Sequence, residues 1–185
     1  MKQEIKTIQL PEGKFNATVQ IFESADDSLI RGIYKNWRAL SEELRAFGGR
    51  GVNLPEVLSE AVFCRQYGTV RINQNISGAN TSFDVYDLKR SKRIQIKACS
   101  VLPDLTSFGP DSVWDEIYFL DFYRKGKWDG TVDIYLIDNN LIYNHNVNAG
   151  QTMKHQQLQG RRPRFSIYKE IITRKGILPI KTYQI

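Results

Sequence analysis

The chain has 185 residues, 41% of them hydrophobic, which is enough for one domain with a substantial core. Its net charge of +6 is unevenly placed: Gln151 to Ile185 carries eight Lys and Arg against one Glu, while the rest is close to neutral. No apolar run reaches membrane-spanning length and the opening MKQEIKTIQL has no signal-peptide core, so membrane and secreted classes are excluded and a cytoplasmic protein is expected. The basic C-terminal segment suggests a polyanionic partner, although a solvated basic face is also common. Cys64 and Cys99 lack metal-ligand spacing and are read as reduced, buried thiols.

Residues 1–22 alternate weakly around Pro11 and Gly13 and fit a short hairpin or an arm. Ser24 to Phe47 is the clearest helix. Ser24 followed by Asp27 resembles a capping box, and Gly48-Gly49 supplies the stop. Leu29, Ile33, Trp37, Leu40 and Leu44 recur at helical spacing, a pattern that favours core packing and equally fits part of a dimer seam. A second helix runs from Leu54 to about Tyr67, with Asn53 as its N-cap, Pro55 in the first turn and Glu56 completing a capping box. Glu60 lies inside this helix, where capping does not explain it. It is either an exposed surface glutamate or a carboxylate that approaches a site from the helix.

A polar strand-like segment, Val70 to Ile76, and a turn at Ser77–Asn80 lead to the most informative stretch, Phe83 to Cys99. Strict alternation on both arms predicts a β-hairpin with its turn in Asp87–Lys92. A turn centred between Lys89 and Arg90 places Asp84 opposite Gln95, with Cβ atoms roughly 5 Å apart, and Lys97 on the same face. An acid, an amide oxygen and an ammonium then converge. Carboxylate and carbonyl oxygens suit a hard cation, and the lysine can orient an attacking water or offset negative charge, as phosphodiester hydrolysis requires.

Residues 101–113, with Pro103, Gly109 and Pro110, read as a loop, and Ile117–Tyr123 and Thr131–Ile137 as strands. Asp115 and Glu116 are read as solvated strand-flanking acids, with help in placing metal or water as the other option. The elements together give an α/β or α+β layer. Residues 139–164 look loop-rich and crowded with Asn and Gln, and Arg161, Arg162 and Arg164 follow around Pro163. Amides and arginines of this kind contact base edges and phosphates, whereas a disordered polar loop is the ordinary alternative. Gln156, Gln157, Arg161, Arg162 and Arg164 are the candidates for base readout, and Lys154, Arg174 and Lys175 for phosphate contact. His145 and His155 are too far apart in sequence to suggest a metal pair.

The segments Ser82-Phe83-Asp84, Ile94-Gln95-Ile96-Lys97-Ala98, Asp104 to Pro110, Trp114-Asp115 with Tyr118 to Phe122, and Gln159 to Ser166 also resemble a known family. The chain resembles type II restriction endonucleases of the PD-(D/E)XK superfamily, in particular a small single-domain family associated with cutting GCNGC. The resemblance implies a restriction-endonuclease-like central mixed sheet flanked by helices and a Mg²⁺-dependent cut in double-stranded DNA. It also implies Asp84 as the metal-binding acid, Lys97 as the catalytic lysine, Gln95 at the variable acidic position and Glu60 as the upstream helical glutamate, so that Asp84, Gln95 and Glu60 are the metal ligands. Phe83 and Gln95 depart from the family's proline and acid, and the amide leaves the site one negative charge short. A palindromic target implies a homodimer, and such a system can include a cognate DNA methyltransferase. On this reading one nuclease domain divides into an N-terminal arm and helix (1–50) with a dimerisation role, a catalytic core (54–137) and a DNA-recognition segment (139–175). A junction resolvase and a non-catalytic DNA-binding module are the rival expectations.

Overall fold

The computed structural model describes residues 1–72 and 74–185. The chain opens with a hairpin, β1 (Lys2–Leu10) and β2 (Gly13–Ile21), followed by helices α1 (Asp27–Ala46) and α2 (Glu56–Tyr67). Next come β3 (Val70–Ile72), β4 (Val85–Asp87), β5 (Lys92–Cys99), the short β6 (Thr106–Ser107), β7 (Glu116–Asp121) and β8 (Thr131–Ile137). The remainder holds α3 (Asn139–Tyr143), β9 (Asn146–Asn148), β10 (Gln151–Thr152), α4 (Met153–Leu158), β11 (Arg164–Phe165), a π-helical turn at Tyr168–Thr173 and β12 (Lys181–Gln184). Among the described residues no helix is long and apolar enough to cross a membrane.

Eight strands form one mixed sheet in the order β1-β2-β3-β4-β5-β7-β8-β12. The β5–β7 pair is parallel and its neighbours are antiparallel. Helices cover both faces, so the expected α/β arrangement with a restriction-endonuclease-like mixed sheet holds. On one face, α1 and α2 pack Ile30, Trp37, Leu58 and Val62 against Ile94, Ile96, Tyr118 and Leu120. On the other, Phe108, Ile142, Met153 and Ile171 cover Ile117, Phe119 and Tyr135. Adjacent residues of β7 thus serve opposite layers, as strand alternation demands. The first 22 residues are a full hairpin added to the sheet, with Ile8, Leu10, Ala17 and Val19 in a third apolar cluster.

Three helix expectations need correction. The box at the start of α1 is formed by Glu23 and Asp26 around a 3₁₀ turn, not by Ser24 and Asp27, because Asp27 is taken by an ion pair with Arg65 of α2 at 2.7 Å. The N-cap of α2 is Pro55, not Asn53, and Glu56 is its first residue rather than part of a capping box. The apolar stripe of α1 is not the core face. Ile30, Tyr34 and Trp37 are buried, whereas Leu29, Ile33, Leu40 and Leu44 are exposed by 56, 36, 48 and 38%. Apolar residues span a wide arc of this helix, and spacing alone does not choose between its two shoulders. The stop is as expected: Gly48 has φ +79°, and the Gly49 amide donates to Leu44 at 2.9 Å.

The strand expected over Val70–Ile76 is confined to β3, with Asn73 outside the described residues. The 101–113 loop is otherwise as expected, except that Thr106–Ser107 forms β6 and pairs with β11. Both cysteines are buried and free.

Candidate active site

The hairpin has the expected register. Val85 pairs with Ile94 and Tyr86 with Arg93, so the next step brings Asp84 to Gln95, and the Asp84 amide donates to the Ile94 carbonyl at 3.1 Å. Ile94 and Ile96 face the α1–α2 layer, which turns Gln95 and Lys97 the other way. Lys97 stands half-buried with Nζ 5.5 Å from the Phe108 ring.

Asp84 is held from the partner arm. The Ile96 amide donates to Oδ2 at 2.6 Å and Gln95 Nε2 donates to the same oxygen. Among the described residues no group hydrogen-bonds Oδ1. Gln95 is 3% exposed, and its Oε1 is buried without a partner. Such an orphan acceptor costs about 1–3 kcal/mol. Turning the amide over would set Oε1 against the carboxylate, so the orphan belongs to the arrangement and marks a place for a cation or a water.

Glu60 is buried at 4% exposure, so the surface reading fails; seven consecutive residues of α2, Leu58 to Cys64, are buried because the helix is covered on all sides there. Glu60 is ion-paired to Arg71 of β3, whose other arm reaches Gln20 Oε1 at 3.0 Å. The sequence reading missed Glu56. One helical turn before Glu60 on the same face, it joins Glu60 and Asp84 in a cluster in which one carboxylate oxygen from each lies within 4.8 Å of the other two. The i, i+4 spacing of the two glutamates was visible in the sequence, but assigning Glu56 to a cap absorbed it.

Electrostatics follow the crowding. Burial, with Asp84's charge added, pushes the Glu60 carboxyl up to about 7 despite Arg71. Burial likewise lifts Asp84 to about 6, against the pull of Lys97 and the Ile96 amide. Both groups hold protons more tightly folded than unfolded, so the metal-free protein loses stability as pH rises from the ordinary carboxylate range towards about 7. Melting in chelator is therefore expected at a lower temperature near about pH 8 than near about pH 5.5, and magnesium should narrow that gap. Differential scanning fluorimetry at both pH values, with and without the ion, checks it. A flat profile in chelator would remove the cluster from the account.

Through Glu56 the cluster borders a cleft of about 400 Å³, which Ser59, Lys97, Asp104, Thr106 and Ser107 also line; Asp84, Glu60 and Gln95 lie behind that lining. Asp115 and Glu116 do not join it: Asp115 binds Arg93 at 2.9 Å and Glu116 binds Arg90 at 2.6 Å. These ion pairs leave neither acid free to place metal or water.

The basic segment reaches the cleft rim through a buried carboxylate. Asp104 accepts from Thr106 Oγ1 at 2.8 Å, from the amides of Ile167 at 2.9 Å and Tyr168 at 3.1 Å, and from Ser166 Oγ. Beside it β11 pairs with β6, setting Arg164 opposite the cleft-lining Ser107. Gln156 and Gln157 are buried, their Nε2 groups donating to Gln151 at 3.3 Å and to the Gly109 carbonyl at 2.7 Å. The Gln156 amide thus braces the segment internally and the Gln157 amide ties it to the 101–113 loop, while Lys154, Arg161, Arg162 and Arg164 are exposed. Arg174 and Lys175 lie elsewhere, in a cleft of about 1000 Å³ with Asn144, His145 and Asn146. His145 packs against the Phe165 ring, tilted by 33° with centroids 4.2 Å apart, far in role from a metal pair with the exposed His155.

A mixed sheet covered on both faces, with a carboxylate cluster, an amide and a lysine gathered around β4, β5 and α2, defines a protein of the restriction-endonuclease-like class. Residues 22–174 match the sequence model of the Bsp6I restriction endonuclease family. Type II restriction enzyme Bsp6I of Bacillus sp. (strain RFL6) is 34% identical over 165 residues, covering 88% of this chain and 89% of that one. No solved structure matches the chain significantly. The chain belongs to the Bsp6I restriction endonuclease family. It is a type II restriction endonuclease, a hydrolase that cuts DNA at specific sites, which sets aside the junction-resolvase and non-catalytic readings.

Proposed function

We propose that this enzyme uses Mg²⁺ to hydrolyse duplex DNA at a short palindromic site, GCNGC by family resemblance, acting as a homodimer alongside a cognate methyltransferase. The observation that carries the metal is the orphaned Gln95 Oε1 next to the Glu56–Glu60–Asp84 cluster. These donors are oxygens only, as a hard divalent cation prefers. Asp84, Glu56 and Gln95 would hold it, with Glu60 as a further ligand whose charge is partly offset by Arg71. Glu56 then supplies the negative charge that Gln95, in place of an acid, does not.

Once bound, the ion supplies Lewis-acid stabilisation of the charge that builds on the phosphate oxygens. The residues do the rest. Ile96 and Gln95 orient Asp84 by binding one carboxylate oxygen, and the other would be available to hold the cation. Lys97, one residue beyond Ile96, orients the attacking water and offsets negative charge on the scissile phosphate. Arg164, paired opposite the cleft-lining Ser107, and the exposed Arg161 and Arg162 just before it read bases or bind phosphates, Lys154 adds a phosphate contact, and Arg174 and Lys175 hold the backbone further along. Gln156 and Gln157 contribute by fixing the segment that carries these arginines.

Incubating the protein with plasmid and magnesium is expected to give discrete fragments with ends at one sequence, and Lys97→Ala is expected to give none. Substituting the chelator for the ion should stop the wild type as well. Full cleavage by the lysine variant would sink its assignment, and cleavage in chelator would sink the metal.

A further inference from the structure

Among the described residues the exposed stripe of α1 has no partner. Leu29, Ile33, Leu40 and Leu44 are joined at the end of the helix by Phe47, which is 92% exposed. The five side chains leave bare roughly 500 Å² of apolar surface on one helix, at the upper end of what an isolated protein shows. Pairing two copies would bury about 1,000 Å², the size at which a specific interface begins.

The order of the residues says which partner fits. A two-fold axis across the helix midpoint, between Asn36 and Trp37, sets Leu29 against Leu44 of the second copy. The same axis sets Ile33 against Leu40. One axis satisfies both pairs in both directions, the property of an interface between identical copies. Asn36 is the exposed polar residue closest to that axis, where two asparagines can bond each other and hold the register. Gly32 lies beside the stripe, and a Cβ placed there would meet nothing within 4 Å, so the backbone can be approached closely. We infer that α1 is the dimer seam, packing antiparallel on α1 of a second copy of this chain. The inference deepens the reading of a palindromic target, on which the need for two copies rests.

Cysteine cross-linking tests it without DNA or metal. Cys64 and Cys99 are buried, so an introduced surface thiol reacts alone. Asn36→Cys is expected to form a disulfide dimer under mild oxidation. In the antiparallel arrangement two copies of position 29 lie about 22 Å apart along the axis, beyond the ~7 Å reach of a disulfide. Leu29→Cys and Leu44→Cys are therefore each expected to stay monomeric on reducing-agent-free gels and to cross-link when mixed. In sedimentation, Leu40→Glu is expected to convert a dimer to a cooperatively melting monomer. A wild type that sediments as a monomer at every concentration, or a Leu40→Glu variant that remains dimeric, would overturn the seam. So would self-linking of Leu29→Cys, which signals parallel helices. Cleavage of plasmid by a protein that fails these tests would leave the site-specific, metal-dependent hydrolysis standing without the seam. Cross-linking by a protein that cuts nothing would do the reverse.

Discussion

Asp84→Asn is expected to cut DNA more than about a hundredfold more slowly, since even an indirect partner of a metal typically contributes roughly 10–100-fold. The fold should survive the change. Asparagine keeps an oxygen for the Ile96 amide and the Gln95 side chain, which both bond one oxygen of Asp84. What disappears is a half-buried negative charge beside Glu60 and Glu56. The same variant should therefore be more stable than wild type in chelator at neutral pH, and its Glu60 should titrate lower, because Asp84's charge is one of the causes that raise it. Activity and stability are expected to move in opposite directions, a signature that a purely structural aspartate does not produce. Single-turnover cleavage and melting curves on one preparation check both halves. A variant that loses stability and activity together would make Asp84 a strut of the hairpin.

Arg71→Met is expected to cost about 3 kcal/mol near pH 8, the effect of stripping one partner from a buried ion pair. Glu60 is 5% exposed in its side chain and Arg71 17%, so water compensates little when the guanidinium goes. For a chain of this length that is a fall of about 6–12 °C in melting temperature. The loss should shrink at about pH 5, where Glu60 is protonated in the variant and no buried charge is left alone. Methionine fills the volume of the arginine stem, so the pH dependence separates lost charge from lost packing. Urea titrations at the two pH values measure it. A destabilisation equal at both would mean that Arg71 contributes packing and not charge compensation.

Local patterns carried much of the site. The alternation on Phe83–Tyr86 and Ile94–Cys99 predicted the hairpin, and the symmetric placement of the turn predicted the Asp84–Gln95 register, because a period of two leaves few ways to pair short strands with one buried face. Glycines and polar stretches marked the ends of α1 and α2 for the same kind of local reason. Patterns that concern contact between distant segments were another matter. Asp104–Pro110 and Gln159–Ser166 both stood out in the sequence. Nothing local says that they pair through β6 and β11 or that Asp104 binds the amides of Ile167 and Tyr168.

Burial divided the readings in the same way. Gln156 and Gln157 have the composition of base readers, yet their amides hold the segment together from inside. Glu60 has the spacing of a surface residue and is buried, while Leu29 and Leu40 have the spacing of core residues and are exposed. Periodicity reports which residues share a face of a helix. Only the neighbours packed around that helix decide whether the face is covered.

The sequence by itself determined the hairpin, its register, the acid, amide and lysine that share one face, and the basic character of the last 35 residues. All of these follow from spacing along one chain segment and from side-chain chemistry. The tertiary structure decided that Glu56 and Glu60 both reach Asp84, that Arg71 accompanies Glu60, and that Arg164 pairs opposite a residue lining the cleft beside Glu56. Those facts depend on how α2 sits against β3 and β5 and how β11 folds back on β6. Such long-range packing is set by the whole core, and no window of sequence contains it.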